Sequence, residues 1–129
     1  MNRHELSGRR RRSHALVALL IACLALMLPA VTSAHVEILG TGPSKTAKTS
    51  LKQVTVTLSG PIRSGSLKVF GPGGEQVSKG AGGRDPGNYS ALLATLKGGL
   101  APGRYAAKAV WVSADGHRQS STFHFRLTR

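Results

Sequence analysis

Sulfur is nearly missing from this chain: its one cysteine, Cys23, and its two methionines, Met1 and Met27, all fall within the first 34 of 129 residues. From residue 35 onward there is none, which excludes a disulfide, a thiolate ligand and a soft thioether metal site there. Long apolar runs are missing too. The longest, Ala15 to Leu28, has 14 residues, whereas a bilayer-spanning helix needs about 20. Acids are scarce: beyond residue 34 only Glu37, Glu75, Asp85 and Asp115 stand against 13 Lys and Arg.

What the N-terminal stretch does have is the pattern of an export signal. Arg3 and Arg9 to Arg12 make a basic region, Ala15 to Leu28 an apolar one, and Thr32-Ser33-Ala34 a small-residue cleavage site. Ser13-His14 follow the arginines where a twin-arginine signal prefers apolar residues, so general secretion is the expected route. Residues 1–34 are thus expected to be a cleaved signal peptide, and the mature chain, 35–129, to begin at His35 in a periplasmic or extracellular location. That length suits one domain and is too short for two. Leu20-Ile21-Ala22-Cys23 resembles a lipoprotein box, so acylation of Cys23 is the alternative; its apolar stretch is short, and an apolar segment follows where a polar tether is needed. The basic surplus could draw nucleic acid, anionic lipid or envelope polymer. Export argues against nucleic acid, and the charges are scattered along the sequence, which reads as a soluble basic surface.

The mature chain is rich in Gly, Thr, Ser and Val, and its apolar residues alternate with polar ones in short segments. Val54, Val56 and Leu58, then Leu67 and Val69, then Phe123, Phe125 and Leu127 each predict a strand with one face for a core and one for water. The longest candidate, Arg104 to Ser113, sets Tyr105, Ala107, Ala109 and Trp111 on one side; Tyr89 to Leu96 is a further strand or irregular segment. Gly60-Pro61, Asp85-Pro86-Gly87-Asn88, Gly98-Gly99 and Pro102-Gly103 read as turns. Six or seven short strands predict an all-β fold, a small antiparallel sandwich or barrel. The glycine-rich stretch Gly71 to Gly83 reads as a mobile loop.

Three histidines remain beyond residue 34: His35, His117 and His124. A histidine at a new N-terminus offers its α-amine and ring Nδ1 together, closing a six-membered chelate. Asp115 and His117, two residues apart at a strand end, can point to one side, and Gly116 lets the backbone bend between them. Two imidazoles, an amine and a carboxylate make an N,O donor set suited to tetragonal Cu(II), though Zn(II) accepts the same ligands. His124 alternates with Phe123 and Phe125 and is expected to face solvent.

The mature chain resembles the CopC family of periplasmic copper-binding, copper-resistance proteins along nearly its whole length. His35 matches the family's mature N-terminal histidine and Pro43 its early proline, while Val54 to Pro61 resembles "V-x-L-x-F-S-E-P". The most specific part is Gly103-x-Tyr105, Ser113-Ala114-Asp115-Gly116-His117 and Phe123-x-Phe125, similar to "G-x-Y … S-A-D-G-H … F-x-F". The resemblance implies a Greek-key, immunoglobulin-like sandwich and one Cu(II) per chain at His35, Asp115 and His117. It further implies a monomeric carrier or buffer in copper resistance or homeostasis, with an inner-membrane copper transporter of the CopD type as partner. Gly60 stands where many relatives carry an acid, Trp111 lies two residues later than in the family pattern, and the Met-rich segment of some relatives is missing.

Two other functions fit parts of the sequence. A histidine-brace copper oxidase also uses a processed N-terminal histidine, but this chain is short, only 5% aromatic, and its Asp115 carboxylate would compete for the position that oxygen needs. A metal-independent, envelope-binding sandwich would act through the basic surface alone.

Overall fold

The computed structural model describes residues 35–129, so the export signal and the Cys23 alternative lie outside the described residues. Eight strands follow one another: β1 (Ile38–Gly42), β2 (Thr46–Lys48), β3 (Gln53–Leu58), β4 (Ile62–Phe70), β5 (Gly83–Asp85), β6 (Asn88–Thr95), β7 (Gly103–Ser113) and β8 (Arg118–Thr128). They form two four-stranded sheets, β1-β3-β6-β5 and β2-β8-β7-β4. Pairing is antiparallel except between β2 and β8, which run parallel. The all-β architecture expected from the alternating segments is present.

Alternation explains which faces meet. Val54, Val56 and Leu58 of β3 and Leu92 and Ala94 of β6 are buried against Leu67 and Val69 of β4, Tyr105, Ala107, Ala109 and Trp111 of β7 and Phe125 and Leu127 of β8. Each fully buried Val, Leu or Phe contributes about 1.5–3 kcal/mol, and with no disulfide in residues 35–129 this layer carries the fold. Gly65 lies where the two sheets approach closely: a Cβ there would meet Leu92 Cδ2 at 2.5 Å and the Val110 carbonyl oxygen at 2.8 Å. A side chain at 65 would therefore push the two sheets apart.

Tyr105 and Phe125, opposite one another in register, stack with ring centres 5.6 Å apart. The Tyr105 hydroxyl donates to the Ala101 carbonyl at 2.6 Å, which gives a buried aromatic a partner for its polar end. Trp111 faces the core on the expected side, but its Nε1 has no hydrogen-bond partner among the described residues.

The stretch Gly71 to Gly83 departs from the expectation of a mobile loop. Val77 and Ser78 within it are buried, the Val77 N–H donates to the Val69 carbonyl at 2.8 Å, and Ser78 Oγ accepts the Val69 N–H at 2.9 Å. Gln76 Nε2 donates to the carbonyls of Ser78 and Gly80. These bonds fasten the stretch to β4 and to itself, which glycine content alone cannot reveal.

Candidate metal centre

The hairpin joining β7 to β8 places Asp115 and His117. The Gly116 N–H donates to the Ser113 carbonyl at 2.9 Å, and the Ser113 N–H donates to the His117 carbonyl at 2.9 Å. Gly116 adopts φ 92°, a left-handed value that side chains resist. A three-residue loop of this kind, a turn followed by a left-handed glycine, returns the chain so that both side chains project from the same end of the sandwich.

Within the hairpin, the carboxylate of Asp115 is fully engaged. Its Oδ1 accepts from the hydroxyl of buried Ser113 and from the His117 N–H, the latter at 3.2 Å, and its Oδ2 lies 3.0 Å from His117 Nδ1. The Ser113 hydroxyl first, then the His117 N–H and the His117 ring, hold the Asp115 carboxyl well below the usual carboxylate range. When Nδ1 carries the proton of that contact, the lone pair of the His117 ring is on Nε2.

His35 reaches this hairpin from the other end of the chain. Its ring centre lies 6.3 Å from that of His117, with the planes tilted by 44°. The residue after it is held firmly: the Val36 N–H donates to Gln119 Oε1 at 3.1 Å, and Gln119 Nε2 donates to the Val36 carbonyl at 3.1 Å. One residue further, the Glu37 N–H donates to Ser59 Oγ at 2.8 Å, and the Ser59 N–H donates to the Glu37 carbonyl at 2.8 Å. The N-terminal segment is thus pinned to both β8 and the β3–β4 turn. Gln119 was invisible as a site residue in the sequence because its partner lies 83 positions away.

Of the three sequence-derived candidates, the structure joins Asp115 directly to His117 and sets the His35 ring beside them. Among the described residues no three His, Cys, Asp or Glu side chains are already gathered as a ligand cluster. A hollow of about 190 Å³, lined by Val36, Gly60, Pro61, Ser113, Ala114 and Asp115, adjoins the carboxylate. Gly60 leaves that hollow open, where the family resemblance predicts an acid. His124 is exposed on the outside of β8, opposite Ala106.

No curated protein matches this chain. The fold is similar to that of CopC from Methylosinus trichosporium OB3b, with a TM-score of 0.60 and 23% identity, covering 72% of this chain and 93% of that one. It is also similar to PcoC, a methionine-rich copper resistance protein from Escherichia coli, with a TM-score of 0.59 and 18% identity, covering 74% of this chain and all of that one. The family model for the CopC domain matches residues 40–128, a span that includes β1 to β8 almost entire and the Asp115–His117 hairpin. On that match the chain belongs to the CopC family.

Proposed function

We propose that the chain, once cut to begin at His35, binds one Cu(II) ion through His35, Asp115 and His117 and acts as an exported carrier or buffer in copper resistance or homeostasis. One observation carries this reading: two histidines 82 positions apart present their rings 6.3 Å from each other. A metal about 2 Å from a ring nitrogen lies about 3.1 Å from that ring's centre, so the separation suits an ion held by one nitrogen of each ring on opposite sides. The donor set supports the oxidation state, since residues 35–129 offer nitrogen and oxygen but no sulfur. The described relatives, a CopC and a copper resistance protein, support the cargo.

Asp115 supplies the carboxylate of this set. Coordination requires its Oδ2 to leave His117 Nδ1, and an exposed contact between His and carboxylate is weak beside a metal bond. The chelate at His35 needs a free amine, which cleavage after Ala34 would create. Catalytic turnover is no part of this reading. Release to an inner-membrane copper transporter of the CopD type is the step that the family resemblance supports.

The test compares the chain beginning at His35 with a twin carrying one extra Ala before it. An amide nitrogen has no readily available lone pair, so the twin keeps the His35 ring and loses the amine. By competition with a chelator the twin is expected to bind Cu(II) at least ~10-fold more weakly, about 1.4 kcal/mol. Equal affinities, or saturation at two tightly held ions, would overturn the proposed site.

A further inference from the structure

Lysines and arginines that are scattered through the sequence gather on one of the two sheets. Strands β2, β4, β7 and β8 together hold seven of them and no Asp or Glu. Strands β1, β3, β5 and β6 hold only Arg84 and Asp85, which cancel. Within the basic sheet the alternation decides the side. Tyr105 and Ala107, Phe125 and Leu127, and Leu67 and Val69 are buried, so Arg104, Lys108, Arg126 and Lys68 between and beside them point outward, and all four are exposed.

Their register is unfavourable for folding. Arg104 stands directly opposite Arg126, and Lys108 directly opposite Lys68. Like charges in that position destabilise a sheet, and no acid on these strands relieves either pair. An external anion does relieve them. The two pairs are separated by four residues of β7, about 13 Å at strand rise, so a single small oxyanion answers one pair and leaves the other.

The rest of the face selects the partner. It is a broad sheet surface with hydroxyls between the cations, among them Thr46, Ser66, Ser120 and Thr122. Its one Phe, Tyr or Trp, Phe70, is half-buried with Lys108 Nζ 5.0 Å above the ring, so beside the lone imidazole of His124 it makes no run of stacking platforms of the kind that single-stranded nucleic acid uses. An open hollow of about 270 Å³ lined by Lys45, Arg104, His124 and Arg126 deepens the face at one pair. We propose that the outer face of the β2-β8-β7-β4 sheet docks the protein on the surface of an anionic phospholipid bilayer, whose phosphate groups form a planar array matching the spread of the cations. The docking does not depend on the metal site: Arg104, Lys108, Arg126 and Lys68 are not among the hydrogen-bond or ion-pair partners of Asp115 and His117.

Vesicle co-sedimentation of the metal-free chain from His35 tests this, using phosphatidylcholine alone and phosphatidylcholine with phosphatidylglycerol in equal parts. The face variant is Arg104→Glu with Lys68→Glu, which turns each like-charge pair into an opposite-charge pair. The control is Lys52→Glu with Lys79→Glu, exposed positions off this sheet that lower the net charge by the same amount. The wild type is expected to bind only the phosphatidylglycerol vesicles, and more weakly as salt rises. The face variant should lose at least ~30-fold in that binding while its thermal midpoint holds or rises, so that unfolding cannot explain the loss. The control should keep most of its binding. Equal losses in face variant and control would reduce the effect to net charge and overturn the proposal. So would binding to phosphatidylcholine alone, or tighter binding to soluble polyphosphate than to vesicles of the same phosphate concentration.

Discussion

The side-chain amide of Gln119 pairs with the backbone of Val36 as a neighbouring strand would, accepting its N–H and donating to its carbonyl, each at 3.1 Å. Through this pairing β8, which follows directly on His117, also holds the residue that follows directly on His35. The two histidines are therefore set by one rigid element. Ser59 repeats the device on Glu37 from the β3–β4 turn.

Removing the amide should loosen the His35 end without unfolding the sandwich. Two neutral hydrogen bonds contribute about 1–3 kcal/mol together, so Gln119→Ala is expected to weaken Cu(II) binding by about tenfold. Chelator competition measures this. The loss should shrink in the twin with an extra N-terminal Ala, because pinning Val36 matters most when the His35 amine is a ligand; additive losses would make Gln119 merely structural.

His117 and His124 lie on the same strand or its edge, yet only one faces the candidate centre. His117→Ala is expected to reduce Cu(II) affinity by at least ~30-fold, about 2 kcal/mol, whereas His124→Ala should leave it nearly unchanged. Isothermal titration of both variants decides the matter. Equal losses would show that the exposed face of β8 holds the metal.

Acid should act on the hairpin in a defined order. Because the folded Asp115 carboxyl is held below its unfolded value, its contribution to stability is complete above about pH 4 and is lost as pH falls through the folded value. In the metal-free protein, Asp115→Asn should flatten the fall of the denaturation midpoint below about pH 4. Metal release in milder acid then belongs to the nitrogen donors, since the carboxylate is still ionised there. A variant with the same acid profile as the wild type would place the sensitivity elsewhere.

Much was legible from local pattern. Alternation of apolar and polar residues marked β3, β4, β7 and β8, because burial of every second side chain is written into consecutive positions. The Asp115-Gly116-His117 spacing likewise carried its own geometry: the left-handed φ of Gly116 is a local necessity of the turn. The shorter β1, β2 and β5 went unread, since strands of three to five residues such as Thr46–Lys48 acquire their identity from the strand they pair with.

By itself, then, the sequence determined the strand periodicity, the sulfur-free N,O donor chemistry and the family to which the pattern of Gly103 to Phe125 points. Only the folded structure decided which partners meet, whether near or far along the chain. Val36 and Gln119 meet across 83 residues, the glycines of 71–83 are fastened by Val69 and Gln76, and Asp115 turns its carboxylate inward to Ser113 and His117. Scattered cations became one uniformly basic face because Arg104 falls opposite Arg126 and Lys108 opposite Lys68. Register between strands sets which charges meet, and register is a property of the folded sheet that no single segment contains.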